Sequence, residues 1–301
     1  MSVLKSNLLL LLTALIWGFA FVAQRVGMEF VGPFTFNGVR FALGACSLIP
    51  LILFYNNTSQ DKENRDGGLT SAATAGVLAG LVLFVAASLQ QIGLLYTTAG
   101  KAAFITSLYI IFVPMLGIFL KQYISMSTWF GSIVTIVGLY LLCVKDGFYI
   151  SYGELLELIG ALFWTIHILV IDRFSRKVDV LKLSFFQFIT CSILSLMVAL
   201  FLETISLETL RQAMVPILYG GIGSVGIAYT LQVVGQKNAQ PAHAAIILSM
   251  ETVFAAIGGW LILNEKLGVQ ELVGCATMLT GMLLSQLQNM KSPQEENFKA
   301  M

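Results

Sequence analysis

Ten blocks of apolar residues, each about 17–25 long, take up almost the whole chain: near 7–25, 34–54, 70–94, 101–120, 126–143, 154–171, 181–202, 213–235, 241–263 and 270–288. At 1.5 Å of rise per residue, that length crosses the roughly 30 Å of hydrocarbon in a bilayer as a helix. A water-exposed helix needs a polar face, and these blocks lack one. Charged residues make up only 11% of the chain, against about 25% in soluble domains, too few to clothe a surface in water. The reading is an all-α integral membrane protein of ten transmembrane helices. A net charge of +1 offers no basic excess for nucleic acid, so the expected partners are membrane lipid and small molecules.

The first block, after Lys5, runs apolar from Leu8 to Ala23, longer than a secretory h-region and without a clean small-residue cleavage site. It is read as a retained helix. Cys46, Cys143, Cys191 and Cys275 fall inside expected spans without zinc-type spacing, and are read as packing residues. Of the 17 Lys and Arg, eleven fall on one side if the N-terminus is inside, and six, Arg25, Arg40, Lys101, Lys145, Arg211 and Lys266, on the other. The positive-inside rule then puts both termini in the cytoplasm, in the cytoplasmic (inner) membrane. The glycosylation sequons at Asn56 and Asn57 fall in a cytoplasmic loop and are discounted. The polar tail 289–301 is expected to be disordered.

The second half repeats the first. With a shift of 147, "ALIWGFAFV" from Ala14 meets "ALFWTIHIL" from Ala161; Trp17 falls on Trp164, Phe41 on Phe188 and Phe54 on Phe201. A shift of 142 brings "LQQIG" at Leu89 onto "LQVVG" at Leu231, and a shift of 143 brings Gly131 and Gly138 onto Gly274 and Gly281. The order and near-constant offset mark an internal repeat. Five spans per repeat is an odd number, so the second copy enters the membrane from the opposite side. The expected architecture is two inverted five-helix repeats, 7–144 and 153–288, forming a single transport domain over 1–301. In such folds substrate binds near the midplane, between the halves.

The segments "TALIWGFAFVAQRVG", "RFALGA", "TTAGKAAFITSLYIIFVPMLGIFL" and "SMETVFAAIGGWLILNEKLGVQELVGCATMLTGMLL" resemble the EamA family of the drug/metabolite transporter superfamily, over 7–288. The last is the most specific. One departure stands out: Glu265 in the second repeat is matched by Gln122 in the first. The resemblance implies a central cavity lined by the third, fourth, eighth and ninth helices, with the first and sixth alongside.

Candidate binding residues follow from depth and repeat. Lys101 precedes Tyr109, and His243 precedes Glu251, by eight residues, a rise of about 12 Å. At the 142 shift Lys101 lies over His243 and Tyr109 over Glu251, so Tyr109 and Glu251 should meet near the midplane, with Lys101 at the outer mouth and His243 at the inner. Glu251 has three readings: a ligand for an amino group, a proton-exchanging carboxyl, or a neutral packing group. Trp17 and Trp164 lie too deep for an interfacial belt, and each indole N–H needs a partner or water. His167 shares a face with Trp164. Gln90 and Gln232 are equivalent buried amides, suited to substrate or to helix–helix hydrogen bonds. Arg40 is read as shallow, reaching outward to water; Arg25 and Asp172 are anchors or gate contacts. The paired glycines of the fifth and tenth helices allow close approach. Gly220, Gly221, Gly223 and Gly226 make the eighth helix deformable, and Pro114 can kink the fourth.

No nucleophile–base set, zinc motif or phosphate loop emerges, so neither enzyme chemistry, nor a cofactor, nor a metal is expected. The expected function is secondary transport: export of amino acids or similar small polar metabolites, by a monomer or homodimer. Efflux of toxic organic cations, and a non-transporting receptor or assembly subunit, stay open as alternatives.

Overall fold

The computed structural model describes residues 3–58, 69–120, 124–143, 151–264 and 268–286. Among them there are helices and no strands. The long helices are α1 (Val3–Gly27), α2 (Pro33–Thr58), α3 (Leu69–Gly93), α6 (Met126–Cys143), α7 (Tyr152–Ser175), α8 (Val180–Leu202) and α14 (Val269–Gln286). Three expected spans are interrupted. The fourth is α4 (Ala99–Thr106) followed by α5 (Tyr109–Phe119); the ninth is α12 (Pro241–Leu248) followed by α13 (Glu251–Ile262). The eighth runs from α10 (Met214–Leu218) through a π-helix (Tyr219–Tyr229) into α11 (Thr230–Gln236), preceded by a short α9 (Leu207–Gln212) that the apolar pattern did not anticipate. Eight of these segments are long and apolar enough to cross a membrane, and two shorter apolar helices, Met126–Leu141 and Leu272–Ser285, accompany them.

The distribution of polarity is that of a protein solvated by hydrocarbon. Leu200, Phe201 and Leu202 on α8, Phe119 on α5 and Val215 on α10 are exposed, whereas Asn37, Gln91, Glu157, His167 and Gln187 are completely buried. A soluble fold does the reverse.

Helix ends are set by local chemistry. Ser151 and Glu154 form a reciprocal capping box at the start of α7. The carboxylate of Glu203, just past α8, accepts hydrogen bonds from the backbone N–H groups of Phe34 and Thr35 (both 2.8 Å), which ties the end of α8 to the start of α2. The two helix breaks fall at equivalent places, Ser107–Leu108 and Ser249–Met250, where i→i−3 hydrogen bonds replace the i→i−4 ladder (Ile110 N–H to Ser107 O, 3.0 Å; Thr252 N–H to Ser249 O, 3.1 Å). Hydroxyls fill the gap. Ser107 and Thr252 share a 2.6 Å hydrogen bond, and Thr252 also donates to the Ala103 carbonyl. The break in the fourth span thus lies upstream of Pro114, which sits inside α5.

Contacts between the halves repeat as the halves do. Phe41 touches its counterpart Phe188 (6.2 Å between centroids), and Tyr109 touches its counterpart Glu251. The Lys101–Glu154 pair has its equivalent in His243–Asn7, also joined by a hydrogen bond (3.2 Å). A Cβ at Gly131 would meet Gly281, and one at Gly138 would meet Gly274, so α6 and α14 approach backbone to backbone. These reciprocal pairs are those of a two-repeat fold. Gln122, Lys145, Glu265, Lys266 and the tail 289–301, for which the sequence raised expectations, lie outside the described residues.

Candidate functional site

Where the interrupted helices converge, they line a small, partly open cavity of about 30 Å³. Each break begins a new helix with a polar side chain: Tyr109 opens α5 and Glu251 opens α13. The Tyr109 hydroxyl donates to the Glu251 carboxyl across the two breaks at 3.0 Å. Glu251 is only 3% exposed. Gly18 of α1 lies directly against this turn; an added Cβ there would sit 2.7 Å from the Glu251 carbonyl oxygen.

One wall is aromatic. Tyr229, at the end of the π-helix, contacts Trp17 edge-on (4.6 Å) and stacks on Trp164 (6.2 Å). The indoles are not free to rotate. Trp164 donates to the side-chain oxygen of Gln90 (2.9 Å), Gln90 donates to Gln24 (3.2 Å), and Gln24 donates to the Ala20 carbonyl (3.0 Å). Trp17 donates to the Ser224 carbonyl in the π-helix (3.3 Å). The glycines expected to soften the eighth helix, Gly220, Gly221, Gly223 and Gly226, all lie in that π segment, and π turns are frequent at functional sites.

Six of the nine expected site residues line this cavity together: Trp17, Gln90, Tyr109, Trp164, Gln232 and Glu251. Three lie off it. Lys101 is exposed and pairs with Glu154 at 3.2 Å. His167 is buried beside the wall, bonded to Gln187 (3.0 Å) and edge-on to Trp164 and Tyr229. His243 is buried between Asn7 and Ser285.

Polar residues that spacing did not single out also line the cavity: Arg40, Gln24, Thr106, Ser224 and Tyr229. Arg40 was expected to be shallow, yet it is only 2% exposed, because α2 is covered on this face by α8 and the π-helix and leaves no path outward. Glu157, also unremarked in the sequence, is fully buried next to the cavity and accepts a hydrogen bond from Thr106 (3.1 Å), one of the lining residues. Its place seven residues, two helical turns, before Trp164 on the same face of α7 was the signal available.

Ion pairs mark both ends of α7. Lys101–Glu154 stands at the start of α7, and Arg176–Asp172 (2.9 Å) at its end, where Arg176 also reaches the Ala239 carbonyl before α12. Trp164 is about 15 Å from the first end and about 12 Å from the second along the helix, near mid-depth. A second, open depression is lined by Asp172, Arg173, Arg176, Lys177 and Gln240 at the Arg176 end. Among the described residues no cluster of His, Cys, Asp and Glu could hold a metal ion.

Bilayer-length helices surrounding a polar, aromatic-walled cavity at their mid-depth define a multi-pass membrane protein of the transporter type. The pattern of the EamA-like transporter family matches residues 4–144 and again 151–287. The chain belongs to that family, within the drug/metabolite transporter superfamily. It is 30% identical over 290 residues to an uncharacterized transporter of Archaeoglobus fulgidus, covering 94% of this chain and 86% of that one. It is 25% identical over 279 residues to the uncharacterized transporter YoaV of Bacillus subtilis, covering 90% and 93%. A crystal structure of a protein 16% identical in sequence superposes with a TM-score of 0.77, over 96% of this chain and 99% of that one, which establishes the shared fold.

Proposed function

We propose that the chain is a secondary transporter that exports small polar metabolites, amino acids first among them, by alternating access across the cytoplasmic membrane. The supporting observation is Glu251: a carboxyl buried at mid-depth, at the tip of a broken helix, hydrogen-bonded to its repeat counterpart Tyr109 inside the cavity. Broken helices whose ends face a shared cavity are how transporters place polar groups in a membrane without exposing backbone to lipid. In this reading ten spans form two inverted repeats within one transport domain, both termini face the cytoplasm, and the Arg176–Asp172 end is the inner mouth. Lys101–Glu154 and Arg176–Asp172 close the two ends in turn. The loop charges favour this orientation, more so once Arg40 is taken out of the outer tally.

Glu251→Gln tests the reading. The amide keeps the shape and removes the charge, so the variant should insert and fold like the parent while flux in proteoliposomes falls steeply. Lost binding together with lost flux assigns the carboxylate to the substrate's amino group; retained binding with a flattened pH dependence assigns it to coupling. Flux at the parent rate over a broad pH range overturns the reading and leaves Glu251 a packing residue, as a receptor or assembly subunit would tolerate.

A further inference from the structure

Arg40 poses a problem that packing does not answer. A guanidinium stays charged in any protein environment, so burial cannot be relieved by losing a proton. Burying it without an anion is expensive, and more so at membrane depth. Yet among the described residues Arg40 makes no ion pair. Its Nε donates to Asn37 (3.0 Å), and Asn37 is itself fixed by donating to the Ala87 carbonyl (3.0 Å). Its charged carbon lies 5.5 Å from the Phe36 ring centre and 5.0 Å from that of Phe41. Stem and head are thus held from the α2 side, while the two terminal nitrogens have no hydrogen-bond partner among the described residues. Those nitrogens belong to a residue that lines the cavity.

We propose that Arg40 is the carboxylate subsite of the central cavity, and that the substrate is recognised as a zwitterion, its carboxylate on Arg40 and its ammonium on Glu251. This deepens the transport reading above and rests on it. A planar guanidinium fork receives a carboxylate through two parallel hydrogen bonds, the arrangement left open here. One cation and one carboxylate then line the same cavity, and a zwitterion satisfies both. A bare amine would leave Arg40 unpaired and add a second positive charge; a bare acid would do the converse to Glu251. The fold does not require either charge. At the repeat shifts Arg40 falls on Gln187, which bonds His167 away from the cavity, and Glu251 falls on Tyr109. The charges sit where the halves differ, as chemistry imposed on a symmetric frame would.

The test is exchange in proteoliposomes of the full chain. The twenty proteinogenic amino acids are screened first by counterflow. Each one accepted is then compared with its decarboxylated amine and its deaminated acid, for the parent, Arg40→Gln, Arg40→Lys and Glu251→Gln. The expected parent accepts the amino acid and rejects both fragments. Arg40→Gln should raise the KM for the amino acid about 30-fold or more, the scale of losing a buried charge-paired hydrogen bond. It should also lose the discrimination against the amine. Arg40→Lys, which keeps the charge without the fork, should recover part of the loss. If Arg40→Gln does not fold, the parent's ranking of amino acid, amine and acid still decides. An amine exchanged as well as its amino acid by the parent, or an Arg40→Gln variant with parent KM, overturns the carboxylate subsite alone. Failure of all twenty amino acids to exchange overturns the amino-acid reading along with it.

Discussion

The contact between α6 and α14 allows the sharpest quantitative prediction. Gly138 faces backbone: a Cβ built there would lie 2.6 Å from the Met278 nitrogen and 2.8 Å from the Gly274 carbonyl oxygen. Ordinary contact begins at 3.4 Å, so Gly138→Ala must part the two helices by about 0.8 Å. Main-chain atoms cannot rotate away as a side chain could. A gap of that size forfeits about a quarter to a half of each dispersion contact along the seam, which includes Leu139, Met278 and Met282, all buried. Overpacking of this kind costs about 1–3 kcal/mol. The expected loss is about 2 kcal/mol for Gly138→Ala and more for Gly138→Leu. Gly281→Ala and Gly281→Leu should behave alike, since Gly281 meets Gly131 O at 2.7 Å. Gly100→Ala is the control, because a Cβ there meets nothing within 4 Å. Equilibrium unfolding in mixed micelles measures each. α6 and α14 pack mainly against each other, away from the cavity, so the protein that does fold should still transport. If both alanine variants unfold within about 0.5 kcal/mol of the parent, a surface-level effect, then these glycines do not hold a backbone contact and the seam is misplaced.

Two further outcomes are expected besides those for Glu251 and Arg40. In intact cells a cysteine at Ser151 should react with an impermeant thiol reagent, while cysteines at Lys177 and Ser59 should be shielded; labelling at Lys177 from outside would reverse the two mouths. Tyr109→Phe removes the hydroxyl that donates to Glu251 and should cost about 1–3 kcal/mol of stability by leaving a buried acceptor unpartnered. In the double variant with Glu251→Gln the losses should fall short of adding, and strict additivity in a double-mutant cycle would show that the 3.0 Å contact carries no coupling.

What the sequence determined is what hydrocarbon and repetition impose on a chain read in one dimension. Apolar length places each span along the membrane normal, because a helix converts residue number into depth at a fixed rate. Equal depth in two halves made the Tyr109–Glu251 meeting legible, and likewise the paired glycines. Azimuth is another matter: which side of a helix faces a neighbour, lipid or a cavity depends on helices distant in sequence. Lys101 and His243 match in depth and lie off the cavity, whereas Arg40, read as reaching outward to water, is turned into it by α8 and the π-helix packed over α2. Glu157 was hidden for the same reason, since a lone Glu near a helix start reads as surface until Thr106 is brought against it from α4. The helix breaks at Ser107 and Ser249 also belong to tertiary structure: a serine in an apolar run can sit in a continuous helix, and one of these finds its hydroxyl partner only on the opposite repeat. Depth is a property of one helix; facing is decided only by the assembled bundle.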